Sequence, residues 1–304
     1  MTVLAAGYQG DASILTQAMH EMAQGLRRWG GRWHGLSWQA NVTAQGETAA
    51  SLFESVENNQ RQLCYMASGY LSHRVPELQV LDLPFAHPDR QALFDTLDAQ
   101  GGALLSASIA QRSGYVCLGF WDNGQRHISN AVRPILHRDD AHGMAIRTLD
   151  SALYRASLDA MCFTARTCDV KDLVPWVRQG VVQAQENPLT NYLGFELWRD
   201  HPHVSLTGHF WGALLLLCPA LWYSSLLPSE REQLHEAADH ATGLQRRLAA
   251  SEDARALARL SELGVQVVPA HQIDLAGFRA SVHGVCASVR RELPGRLVQA
   301  FGLS

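Results

Sequence analysis

Short apolar runs alternate with stretches of helical period along this chain, and that alternation leaves few architectures open. Residues 3–6, 33–38, 63–66 and 115–121 read as strands. Between them, residues 12–28 place Ile14, Leu15, Ala18, Met22, Ala23 and Leu26 near one helical face, and residues 47–58 turn Ala49, Leu52, Phe53 and Val56 inward. Residues 78–85 read as strand or loop, ended by Pro84 and Pro88, and residues 91–111 as helix interrupted near Gly101 and Gly102. A βαβα order of this kind argues for a parallel-rich α/β sheet covered by helices.

The second half keeps the rhythm. Asp122-Asn123-Gly124 is a turn signal. Residues 125–132 read as extended, 143–147 as a strand, 151–160 and 172–186 as helices, and 204–209 as a return strand. Pro228 and Ser229 open a long helix, Ser229 capping it while Glu232 reaches back, with Leu234, Ala237, Ala238, Ala241, Leu244 and Leu248 along one face. Gly264 ends a later helix, and residues 265–268 form a strand. With 304 residues the chain is long enough for two lobes, and it contains no Gly/Ser/Pro-rich linker. The lobes are therefore expected to share strands: residues 1–122 plus about 206–250 in lobe I, and 123–205 plus about 251–304 in lobe II.

Composition narrows the partners. A net charge of −4 and the absence of any long basic run argue against nucleic acid. The longest apolar stretch, from Ala213 to Trp222, is too short to span a bilayer, is broken by Pro219, and reads as buried core. The chain enters its first strand without a basic leader, so it is expected to be either cytoplasmic or a processed form restarted at Met1. Six scattered cysteines form no CxxC pair; Cys162 and Cys168 could pair in an oxidising compartment, with buried free thiols as the alternative.

The residues that carry chemistry are Arg147 and Asn187. An apolar strand, Met144-Ala145-Ile146-Arg147, delivers a planar cation shaped to grip a carboxylate, and the Asn187 amide can donate to the same anion. The bland alternatives are an internal ion pair of Arg147 with Asp150 or Glu186, and a helix C-terminal role for Asn187 ahead of Pro188. Tyr70, Tyr154 and Trp211 are the aromatic candidates for a cleft wall, and Gln9, after the first strand, is a polar one. The histidines of 137–142 and 201–203 lack helical ligand spacing and a third partner, so a solvated loop is expected and no metal or other cofactor.

Several phrases in order resemble the extracytoplasmic solute-binding proteins of tripartite ATP-independent periplasmic (TRAP) transporters. They are Leu81-Asp82-Leu83-Pro84-Phe85, Gly119 through Gly124 to Arg126, Arg133-Pro134-Ile135 followed by Gly143 to Arg147, and Gln179-Gly180-Val181-Val182 through Glu186-Asn187-Pro188. Ser205 to His209 and Trp222 to Pro228 continue the likeness. The resemblance implies a two-lobed α/β fold, of the periplasmic-binding-protein kind, with shared crossover strands and a long bridging helix. It implies a carboxylate-bearing ligand held by Arg147 and Asn187, with Arg126 as a second basic residue. It also implies a periplasmic monomer, its signal peptide removed, that hands its small organic acid to TRAP permease subunits. The sequence departs from the family pattern at Val170, where an aromatic is common, at Asp172 for glutamate, at Cys162 for a frequent glycine, and at Gln183 for an acidic residue. These departures suggest an atypical pocket.

Other functions are disfavoured. There is no G-x-S-x-G elbow or glycine-rich phosphate loop for an α/β enzyme. A ligand-sensing partner of a membrane receptor would use the same fold and is separated from transport only by context.

Overall fold

The structure, a computed structural model, describes residues 3–87 and 89–303; the Pro88 breaker and the Met1 start lie outside them. The first half runs β1 (Leu4–Ala6), α1 (Ile14–Arg28), β2 (Ser37–Gln39), α2 (Ala49–Glu57), β3 (Leu63–Ala67), α3 (Ser68–Leu71), α4 (Arg90–Asp98) and α5 (Gln100–Arg112). A long strand, β4 (Tyr115–Asn130), crosses into the second half, which adds β5 (Ala145–Thr148), α6 (Ala152–Ala160), β6 (Thr164–Thr167), α7 (Val170–Arg178), β7 (Ala184–Pro188) and α8 (Leu189–Gly194). β8 (His203–Pro219) crosses back, followed by α9 (Ala220–Ser224), α10 (Pro228–Glu262), β9 (Gln266–Val268), α11 (Leu275–Glu292) and α12 (Gly295–Ala300).

Among the described residues the strands form one mixed sheet, in the order β2-β1-β3-β8-β4-β7-β5-β6 with β9 on β8. β1 is parallel to β2 and β3, and β5 is parallel to β6 and β7, so each half holds a small parallel sheet. β4 and β8 pair antiparallel with each other between them. Both parallel sets point their carboxyl ends at the space between the halves, the place where open α/β sheets gather ligand-binding loops.

Helix α10 packs against α1 and β4 in one direction and α8 and β9 in the other, so it touches both halves. Gln245, on its buried face, donates from Nε2 to the Asp122 carbonyl (2.6 Å) and accepts the Asp122 amide on Oε1 (2.8 Å). It thereby completes the backbone of β4 where the register with β8 slips between Asp122 and Gly124. Thr242, one turn earlier, accepts the Trp121 indole N–H (2.9 Å).

The α/β rhythm holds, and several local readings change. The Asp122-Asn123-Gly124 signal makes a bulge inside β4 rather than a turn: Gly124 supplies a left-handed φ of 84°, and the strand continues to Asn130. The return strand does not stop at 209; it continues to Pro219 and takes in the apolar run, whose alternating residues are buried on both faces. The helix expected over 172–186 ends at Arg178, and Gly180 (φ 67°) turns the chain into β7, so Asn187 sits in a strand and not at a helix end. Residues 76–80 form a 3-10 turn, and the strand expected over 33–38 is only Ser37–Gln39. At the start of α10 it is Glu230, not Glu232, that accepts the Leu227 amide (2.8 Å). The cysteines are all free thiols, Cys162 and Cys168 included. Cys162 has φ 71°, the left-handed geometry a glycine would adopt without strain.

Candidate functional site

The carboxyl ends of β1, β3, β5 and β7 converge on a cavity of about 30 Å³. Its wall includes Tyr8 and Gln9 after β1, Ala67 and Tyr70 at the end of β3, Arg147 and Leu149 from β5, and Asn187 and Asn191 from β7 and α8. Arg126 and Asn123 come from β4, and Val170 and Phe195 from α7 and the end of α8. A water needs ~10–15 Å³ of such space, so the room at the guanidinium holds a carboxylate-sized group, and the rest of any larger ligand extends beyond it. Two larger recesses adjoin it. One of about 210 Å³ shares Gln9, Asn123, Asn191 and Phe195; the other, of about 380 Å³, shares Tyr70.

The halves are tied across this space. Gln9 Nε2 donates to Asn191 Oδ1 (3.1 Å), and the Ser13 hydroxyl donates to Gln9 Oε1 (2.6 Å). Asp169 caps α7 from its own half and reaches over to the Ala49 amide at the start of α2 (3.1 Å). Lys171 Nζ donates to the Gly46 carbonyl (2.7 Å).

The two arginines of the wall differ in how they are satisfied. Arg126 forms a bidentate pair with the fully buried Glu186 through Nε and Nη2, and Thr148 donates to the same carboxylate (2.8 Å). β-register explains this: Arg126 and Glu186 are diagonal neighbours on one face of the β4–β7 ladder. Burial opposes the guanidinium charge, but Glu186 more than offsets it and raises the Arg126 pKa. Arg147 projects from the neighbouring strand and is 2% exposed. Its Nη2 donates to the Cys168 carbonyl (2.7 Å), its Nε has no partner, and no carboxylate among the described residues pairs with it. Burial pushes the Tyr70 hydroxyl up in pKa, and the nearby Arg147 charge opposes that push. The internal ion pair weighed from the sequence is therefore absent for Arg147; Glu186 serves Arg126, and Asp150 is exposed.

Asn187 accepts from Arg126 Nη2 (3.2 Å) and donates to Gln185 Oε1 (2.5 Å); the Gln185 amide in turn donates to Ser129 (2.6 Å). Of the seven residues singled out from sequence, Arg147, Asn187, Arg126, Tyr70 and Gln9 line the cavity, and Tyr154 and Trp211 do not. Tyr154 lies behind the wall, its ring under the Arg126 guanidinium (5.6 Å) and its hydroxyl bonded to Asp82 (3.1 Å). Trp211 is buried mid-strand because β8 runs on, with Arg90 over its ring (5.3 Å). The sequence reading does not mark Asn123 or Asn191. The first belongs to a turn signal; the second follows Asn187 by one helical turn, a spacing that could have marked it.

Burial pushes the Asp82 carboxyl up to about 7, against hydrogen bonds from Ser68 and Tyr154 that favour its charge. Burial also pushes His127 down to about 4 and His209 well down, so both are neutral near pH 7. Outside the cavity, the loop of Asp139 and His142 does gain a third possible ligand, Cys162, with the three ligand atoms within 4.8 Å of one another on the surface.

Known proteins place this geometry in a family context. Residues 39–292 match the model of the bacterial extracellular solute-binding protein family 7. A "solute-binding protein" of Verminephrobacter eiseniae is 27% identical over 267 residues, covering 88% of this chain and 78% of its own length. A TRAP periplasmic solute-binding protein from Roseobacter denitrificans, with bound β-D-glucuronate, superposes with a TM-score of 0.92 at 22% identity over 99% of both chains. One from Sulfurospirillum deleyianum, with bound succinate, does so with a TM-score of 0.91 at 20% identity over 99% of this chain and 98% of that one. These neighbours are binding components of transporters, not enzymes, and they have the two-lobed α/β architecture expected from the sequence. Among the described residues no helix is long and apolar enough to cross a membrane.

Proposed function

This chain belongs to family 7 of the bacterial extracellular solute-binding proteins, and on that footing we propose that it captures a small organic acid between the two halves of its sheet, holds the carboxylate on Arg147, and delivers it in the periplasm to the membrane subunits of a TRAP importer. The observation that carries this is the state of Arg147: a guanidinium almost wholly buried, with the Cys168 carbonyl and the uncharged Tyr70 and Cys168 side chains beside it and no carboxylate. A buried cation left in that condition is costly unless an anion arrives to pair with it. Asn187, Gln9, Tyr70 and Arg126 complete the wall, and Tyr154 supports Arg126 from behind.

The cycle needs no chemical step. The acid docks while the halves are apart, the Arg147 pair forms, and closure excludes water, which strengthens the pair. On this reading the Gln9–Asn191 and Asp169–Ala49 bonds, which tie the halves together, break when the halves part. Titration calorimetry with a ligand found by thermal-shift screening of organic acids tests the reading. Arg147→Ala is expected to abolish measurable binding, and Arg147→Lys nearly so, since lysine cannot form the bidentate pair. Unchanged affinity in Arg147→Ala overturns it.

A further inference from the structure

We propose that the cavity is built for one negative charge, so that this protein selects monocarboxylates carrying hydroxyl or carbonyl oxygens and rejects dicarboxylates of the same skeleton. The inference rests on the Arg147 reading above and adds a charge count to it.

Two guanidiniums face the cavity, and one is already neutralised. Glu186 is 0% exposed and takes Arg126 through both oxygens, with the Thr148 hydroxyl fixing it in place. Arg147 is the one wall cation without a carboxylate among the described residues. The ionisable groups packed around the wall add no second positive charge. His127 and His209 are buried and neutral, while Asp82 and Tyr154 lie behind Arg126. Lys171 is exposed and turned to the Gly46 carbonyl. A further charge close to Tyr70 is negative: Asp169, whose carboxylate is held at the start of α2.

The rest of the wall is neutral and polar. Gln9, Asn123, Asn187 and Asn191 present amides, and Tyr70 a hydroxyl. The Asn123 amide has no side-chain hydrogen bond to the described residues and can meet a ligand oxygen, while the Tyr70 hydroxyl lies beside Arg147 and can turn to the group that Arg147 holds. Such groups suit hydroxyls and ketones. A second carboxylate would have to lie in an adjoining recess. One recess presents Glu252, the other Glu54, Asp150 and Asp169, and the Arg74 there is already paired with Glu57. A charge enclosed without a partner lowers affinity by about a hundredfold or more. Glucuronate and succinate are bound by structural neighbours of the same fold, so fold alone does not fix the charge of the ligand.

The test compares matched pairs by thermal shift and then calorimetry at pH 7.5: D-gluconate with D-glucarate, and 2-hydroxybutanoate with malate. A monocarboxylate should bind, with its dicarboxylate partner at least about a hundredfold weaker. The 4-methyl ester of malate, which removes only the second charge, should bind more tightly than malate. Glu186→Gln, which releases Arg126, should cut the ratio between partners by about tenfold or more. The ester comparison needs no variant, so it decides the matter even if Glu186→Gln fails to fold. A dicarboxylate that binds as tightly as its partner overturns the charge count and leaves the Arg147 reading standing. A protein stabilised by no monocarboxylate of a broad screen overturns both.

Discussion

Replacing each wall arginine by methionine, one at a time and without ligand, should move stability in opposite directions. Methionine keeps most of the apolar stem and removes the charge. In Arg126→Met, Glu186 loses its bidentate partner and keeps the Thr148 hydroxyl and the neutral His209 ring 3.9 Å away, at 0% exposure. Breaking a buried pair from one side costs about 3–5 kcal/mol, which for a chain of this size lowers Tm by roughly 5–10 °C. In Arg147→Met the loss is one hydrogen bond to the Cys168 carbonyl, and the gain is removal of an Nε that is buried without a partner. A neutral buried hydrogen bond is worth about 1 kcal/mol and an orphaned buried donor costs about 1–3 kcal/mol. The ligand-free Arg147→Met protein should therefore be as stable as the wild type or up to about 2 kcal/mol more stable. Urea and thermal unfolding of extensively dialysed protein measure both. If Arg147→Met loses as much as Arg126→Met, its guanidinium is a structural group with an internal partner, and the case for a waiting ligand site fails.

Other consequences can be measured on the same material. Asp82 titrates at about 7 in the folded chain against an ordinary 3.8. The native state thus holds a proton the unfolded chain releases, and this contribution is full below about pH 4 and lost as pH rises through about 7. Asp82→Asn should flatten the fall of the urea midpoint over that window; an unchanged slope refutes the assignment. Cys162→Gly relieves a left-handed φ of 71° and should stabilise by about 1 kcal/mol, read as a rise in Tm. A Cβ at Gly102 would lie 1.9 Å from the Leu97 carbonyl oxygen, a backbone atom, so Gly102→Ala should lose ~3 kcal/mol in urea unfolding by forcing α4 and α5 apart.

A local signal is legible in the sequence where nothing in the tertiary structure competes with it. Arg147 is such a case: an apolar strand that ends in a permanent cation points to a partner anion, and the fold does put Arg147 at the carboxyl end of β5. Asn187 reaches the cavity by a different local route from the one its neighbours suggest. Apolar residues at 173, 174, 177, 181 and 182 continue a helical period across Gly180, which hides the stop at that glycine and makes β7 look like helix. Asp122-Asn123-Gly124 has turn chemistry, but the pairing of β4 with β8 on one side and β7 on the other, together with Gln245 from α10, overrides it and converts the glycine to a bulge. Trp211 leaves the cleft wall for a similar reason, since nothing in sequence says where a strand ends when its apolar run is continuous. The neutralisation of Arg126 has no local signal at all: its partner lies 60 residues away, and only the antiparallel register of β4 and β7 brings them together.

The 35-residue α10 is a strut laid over the place where β4 and β8 lose register. A helix of that length is about 50 Å long and resists bending, whereas a bulged pair of strands with glycine on each side, Gly124 facing Gly212, does not. Any opening of the cleft must then rotate about that level, like a book turning on its spine, with Gln245 as the stitch that keeps the pages from slipping. Rotation at the bulge parts the walls at Arg147, so the grip on a guest and its release are governed by Gln245 and the two glycines, which do not line the cavity, as well as by Asn123, which does.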